Sequence, residues 1–134
     1  VKGLSKVLPS LAINSNVSAE DLGSPESVKR YQSNPLVHGK ISVLCAAEGF
    51  DIGAALAEGA LADNGRAKDT AMLLMHGEED RVCLPQGSRK VASLEHCRYI
   101  EWPGLYHEIH NGGPDSTGSE VIDEMIRWIL ELQA

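Results

Sequence analysis

The alternation of apolar and polar positions is most informative between residues 71 and 110, AMLLMHGEEDRVCLPQGSRKVASLEHCRYIEWPGLYHEIH. Two apolar runs stand there, Ala71–Met75 and Cys97–Trp102, each bounded by Gly or Pro. Short apolar runs of this kind read as buried strands. Residues 86–95 between them read as a helix, so the pattern predicts strands over 71–76 and 97–102 joined through a loop and a helix. A right-handed crossover makes such strands parallel and brings both C-terminal ends to one edge of the sheet.

The flanking segments are more helical. Leu4–Leu8 is a short amphipathic opening, read as a helix end followed by a loop. Ser24-Pro25-Glu26 is a helix start, with Ser as cap, Pro at the first helical position and Glu at the positive end of the dipole. That helix must stop near Asn34, because Pro35 disfavours the α region in the residue before it. Ile41 to Ala62 carries a helical pattern of small residues, with a break expected near Gly49. Asp63-Asn64-Gly65-Arg66 is turn material, and a boundary at about residue 65 separates a segment 1–65 from a segment 66–134. Asn111-Gly112-Gly113-Pro114-Asp115 reads as a loop. Thr117-Gly118-Ser119-Glu120 reads as a capping box. Val121, Ile122, Met125, Ile126, Ile129 and Leu132 then give the last helix an apolar face, expected to pack on the sheet.

Composition narrows the class. A chain of 134 residues with 43% hydrophobic and 23% charged residues suits one soluble globular domain. The net charge of −7 argues against nucleic acid as a partner and against electrostatic docking on anionic lipid. No run approaches the length of a membrane span, and no signal peptide is visible. Three cysteines, Cys45, Cys83 and Cys97, without a Cys-x-x-Cys spacing fit reduced thiols and a cytoplasmic setting.

The predicted crossover places Asp80 and His107 on neighbouring loops at the C-terminal edge of the sheet, where open α/β sheets bind ligands. An acid followed 27 positions later by a histidine is the tail of the order Ser…Asp…His. Glu78 and Glu79 compete as the acid and read as solvated turn residues. His110 is the rival base and reads as a structural neighbour. His107-Glu108-Ile109-His110 lacks the i, i+4 spacing and the helix that a zincin needs, so no metal is expected. His76-Gly77 is not read as an oxyanion loop, and Ser116, with Pro114 two residues before it, is not read as a nucleophile.

The wording of the loops, HGEEDRVC followed by PGLYHEIHN, resembles the acid and histidine loops of the monoacylglycerol lipase and lysophospholipase branch of the α/β-hydrolases. Tyr31 to Lys40, YQSNPLVHGK, resembles the cap segment that precedes those loops. The resemblance covers about residues 4 to 132. It implies an α/β fold: the C-terminal part of an α/β-hydrolase, parallel strands flanked by helices, with 1–65 as part of a helical cap and 66–134 as core. It implies Asp80 and His107 as catalytic residues, a place for Cys83 near the acyl pocket, a lipid ester as substrate, no cofactor, and a cytoplasmic protein that can sit peripherally at membranes. The family's Gly-x-Ser-x-Gly does not occur in these residues. The expected partner is therefore a separate N-terminal half or a second copy, since two strands alone leave an edge unpaired. The competing readings are a non-catalytic fragment that binds lipid or a partner chain, and a related hydrolase with other chemistry, such as an aminopeptidase or a haloperoxidase.

Overall fold

The fold is a computed structural model that describes residues 2–15, 17–59, 70–94, 97–111 and 117–133. The N-terminal part holds a short helix α1 (Lys2–Ser5), strand β1 (Ala12–Asn14), a 3₁₀ turn (Ala19–Asp21), helix α2 (Pro25–Ser33), strand β2 (Lys40–Ser42) and helix α3 (Val43–Ala57). The C-terminal part holds β3 (Leu73–Gly77), α4 (Pro85–Leu94), β4 (Arg98–Trp102) and α5 (Thr117–Glu131). The expected boundary at 65 lies outside the described residues.

β3 and β4 are paired in parallel, with Leu73 opposite Arg98 and Gly77 opposite Trp102, so both strands end at the same edge. The crossover predicted from the apolar runs is present, and α4 packs on both strands. β1 and β2 form a separate antiparallel ribbon, with Ala12 opposite Ser42 and Asn14 opposite Lys40. The sequence reading assigned Ile41 to a helix. It belongs to β2 instead, because Ser42 caps α3 by accepting the Cys45 N–H at 3.1 Å, so the helix begins only at Val43. Nor does α3 break at Gly49: an added Cβ at Gly49 or Gly53 would meet nothing within 4 Å, so both glycines lie on an open side of an unbroken helix. Val43 and Ala47, one turn apart, form its buried face. α2 follows its predicted start, with Ser24 Oγ accepting the Ser27 N–H at 3.3 Å. α5 begins at Thr117 itself, so Thr117 is a helical residue and not the cap; the residue before it lies outside the described set.

The last helix departs from expectation in its packing. Val121 is fully buried, but Met125 and Ile129 remain 42% and 48% exposed. Between α5 and β3 an apolar groove of about 660 Å³ stays open, lined by Leu73, Met75, Ile109, Val121, Met125 and Ile129. Leu73, Leu74 and Met75 are half-buried, so the strand expected to be buried is only partly covered. Arg98 closes the far end of this layer, pairing with the buried Glu124 at 2.6 Å and with Glu131 at 2.8 Å. No helix among the described residues is long and apolar enough to cross a membrane.

Candidate active site

Asp80 reaches the sheet edge through the turn that follows β3. Glu78 and Glu79 form the exposed part of that turn, and the Asp80 N–H bonds the Gly77 carbonyl at 3.2 Å. The Asp80 side chain turns inward and is 3% exposed. Its Oδ1 accepts the backbone N–H groups of Val82 at 2.8 Å and Cys83 at 2.9 Å, an Asx-type closure of the turn. Its Oδ2 accepts from the His107 ring, Nδ1 to Oδ2 2.9 Å.

Burial raises the Asp80 carboxyl, but the His107 hydrogen bond and the Cys83 and Val82 amides outweigh it, and the group lies below its ordinary value. An ionised carboxylate only accepts, so the proton in this bond sits on His107 Nδ1. In the neutral ring Nε2 then carries a free lone pair, and the His107 side chain is 36% exposed.

The His107 loop is held from three sides. Gly104, at φ +70°, turns the chain after β4 in a conformation that suits glycine. The Glu78 N–H bonds the Trp102 carbonyl at 3.0 Å and the Glu79 N–H bonds the Leu105 carbonyl at 2.9 Å, which laces the two loops together. At Gly77 an added Cβ would lie 2.2 Å from the Tyr106 carbonyl oxygen and 2.4 Å from that of Leu105, so the loops cross where no side chain fits. From the N-terminal part, the Leu22 carbonyl accepts the Glu108 N–H at 2.9 Å, and the Ser27 hydroxyl donates to the Asn111 carbonyl at 2.6 Å.

Of the residues singled out in the sequence, Asp80 and His107 are brought together. Glu78 and Glu79 remain turn residues. His110 is exposed, borders the apolar groove, and its carbonyl would lie 2.5 Å from a Cβ on Gly118. Ser116 lies outside the described residues. Cys83 is exposed as a residue; partial desolvation of its thiol and the Asp80 charge push the thiol up, away from the thiolate. Among the described residues no group of three or more His, Cys, Asp or Glu is placed to hold a metal.

Sequence reasoning missed His76 as a neighbour of the acid. Its Nε2 lies 3.0 Å from Asp80 Oδ2 and 2.7 Å from the Cys83 carbonyl oxygen. The available signal was a lone histidine closing an apolar strand run, four positions before the acid.

Residues 1–113 match the family described as serine aminopeptidase, S33. The chain belongs to this family. It has the fold of the α/β-hydrolases and is similar to part of the monoacylglycerol lipases among them. A monoacylglycerol lipase from Mycolicibacterium smegmatis is 31% identical over 135 aligned residues, covering 96% of this chain and 45% of the relative. A monoacylglycerol lipase structure from Paleococcus ferrophilus superposes with a TM-score of 0.79 at 27% identity, over 97% of this chain and 49% of that one. A soluble variant of the Saccharomyces cerevisiae monoglyceride lipase, solved with a substrate analogue, shares the fold with a TM-score of 0.77 at 20% identity. The chain spans about half the length of these monoacylglycerol lipases.

Proposed function

We propose that this chain supplies the acid, Asp80, and the base, His107, of a serine-type carboxylic ester hydrolase acting on a monoacylglycerol or lysophospholipid. The observation that carries the reading is the 2.9 Å bond from His107 Nδ1 to a carboxylate held on its other oxygen by two backbone amides. His107 Nε2 takes the proton of a serine hydroxyl as that oxygen attacks the ester carbonyl. The imidazolium that forms is stabilised by Asp80, then gives its proton to the departing alcohol, leaving an acyl-serine. Water repeats the sequence and releases the fatty acid. Imidazole titrates close enough to neutrality to serve as base and then as acid.

The reading requires a nucleophilic serine from outside these 134 residues, since no Gly-x-Ser-x-Gly occurs among them. The apolar groove and the half-covered β3 support a partner on that face, either the complementary half of the hydrolase fold or a second copy. Residues 1–65 serve in this reading as cap, and their bonds to Glu108 and Asn111 tie the cap to the His107 loop.

The family description favours a second chemistry, peptide hydrolysis at an N-terminus. The two are separated by assaying the chain, joined to a serine-bearing half, on a monoacylglycerol, a lysophospholipid and an aminoacyl anilide, each with His107→Ala as control. Turnover of the glycerol ester that is lost in His107→Ala supports the proposal. Turnover of the anilide alone sinks it.

A further inference from the structure

We infer that His76 is a positioning residue: its ring fixes the turn 80–83 and flanks the carboxylate, so that Asp80 keeps one oxygen aimed at His107. The importance of that aim rests on the proposed roles of Asp80 and His107; the contacts themselves do not.

His76 is the penultimate residue of β3, with its side chain 12% exposed. Its Nε2 faces two acceptors, the Cys83 carbonyl oxygen at 2.7 Å and Asp80 Oδ2 at 3.0 Å. A ring nitrogen between two acceptors carries the hydrogen. The stronger bond goes to the Cys83 carbonyl, and the positive end of the same N–H dipole stands beside the carboxylate. Nδ1 is then bare in the neutral ring and accepts the Ser88 hydroxyl at 2.7 Å. Ser88 belongs to α4, so the ring is anchored to a helix on one side and to the turn on the other.

The Cys83 peptide unit is thereby held at both ends. Its N–H binds Asp80 Oδ1 at 2.9 Å, and its carbonyl binds His76. Rotation of the carboxylate would break bonds on both oxygens. Glu101, opposite His76 in the register of β4, does not compete for the ring, because Arg89 and Tyr99 engage its carboxylate. The charged and titratable groups around the ring are thus Asp80 from the turn, His107, which binds the same Asp80 Oδ2, and Glu101 from β4, itself engaged by Arg89 of α4.

The first test needs no variant. Long-range ¹H–¹⁵N correlation spectra of the ¹⁵N-labelled chain should show His76 as the Nε2–H tautomer, and an Nδ1–H tautomer overturns the proposal. The second follows the Asp80 carboxyl by ¹³C NMR through its acid titration, with folding monitored by circular dichroism. His76→Leu should raise the Asp80 midpoint by about half to one pH unit, roughly a 3- to 10-fold gain in proton affinity. His76→Gln, whose amide can donate to the Cys83 carbonyl, should restore it. A merely structural role would lower the melting temperature of both variants and leave the midpoint where it was, which also overturns the proposal. Should His76→Leu fail to fold, Ser88→Ala takes its place and should weaken the tautomer preference. None of these readouts involves ester turnover, so a failed hydrolase reading and a failed positioning role are told apart.

Discussion

Replacing Gly77 by alanine tests how the two loops are held. The added Cβ would stand 2.2 Å from the Tyr106 oxygen, 2.4 Å from the Leu105 oxygen and 2.8 Å from the Leu105 carbonyl carbon, all of them backbone atoms. Ordinary contact begins near 3.4 Å, so the Tyr106 carbonyl must retreat by about 1.2 Å, the difference between 3.4 and 2.2 Å. No side-chain rotation can absorb that, because the obstacle is the main chain. The retreat pulls on the Glu79 N–H to Leu105 carbonyl bond and carries His107, the residue next to Tyr106, away from Asp80. Overpacking of this kind costs about 1–3 kcal/mol, and a weakened bond to a charged group adds roughly 1.5–3 kcal/mol at most. Urea unfolding followed by circular dichroism should therefore show a loss of about 2–4 kcal/mol. In an active assembly, a displacement near 1 Å of a catalytic group costs on the order of 100-fold in kcat. A Gly77→Ala chain with unchanged unfolding midpoint and an intact His107–Asp80 bond by NMR would refute the account of the loop crossing.

Further outcomes follow from the same structure. The chain alone should not be labelled by a fluorophosphonate probe, read by intact mass; labelling at any serine, Ser116 first, would contradict the need for an external nucleophile. Asp80 and Glu101 both have folded-state carboxyls below their ordinary values, Glu101 lowered to about 2 by its bonds from Arg89 and Tyr99. Their contributions to stability are therefore complete above the unfolded values of 3.8 and 4.5 and fade as the pH falls below these, for Glu101 down towards 2. Denaturation measured across that range should show a shallower acid limb in Asp80→Asn and Glu101→Gln. Arg98→Met should destabilise the chain by about 1–2 kcal/mol, because the buried Glu124 loses one of its two cationic partners, Arg127 remaining. Sedimentation should show self-association driven by the groove between β3 and α5, and Met125→Lys should reduce it; a monomer insensitive to that change would mean the groove recruits no partner.

The β3–α4–β4 unit was legible because apolar runs bounded by Gly and Pro report burial directly, and because crossover handedness fixes which ends meet. The meeting of Asp80 and His107 followed from that topology. The ribbon of β1 and β2 was not legible: three residues a strand is too short for alternation to register, and Lys40 and Asn14 are joined across it by a side-chain bond of 3.2 Å that no local pattern announces. Gly49 misled because the penalty for glycine in a helix is smaller than the gain from packing Val43 and Ala47. The apolar face of α5 was visible in its spacing, but spacing does not say what covers it. His76 was not read as a neighbour of the acid because a single histidine in a strand has no periodicity of its own; only the fold brings Cys83, Asp80 and Ser88 around it.

The central claim is that Asp80 and His107 act as one catalytic pair. Its most direct measurement joins this chain to the complementary half of the monoacylglycerol lipase relative and follows monoacylglycerol hydrolysis in the folded chimera. His107→Ala and Asp80→Asn should each lower kcat by roughly 10⁴-fold with little change in KM. The double variant should lose hardly more than either alone, and His110→Ala should keep most of the activity. Equal losses at His107 and His110, or losses at Asp80 and His107 that multiply as independent sites do, would contradict it.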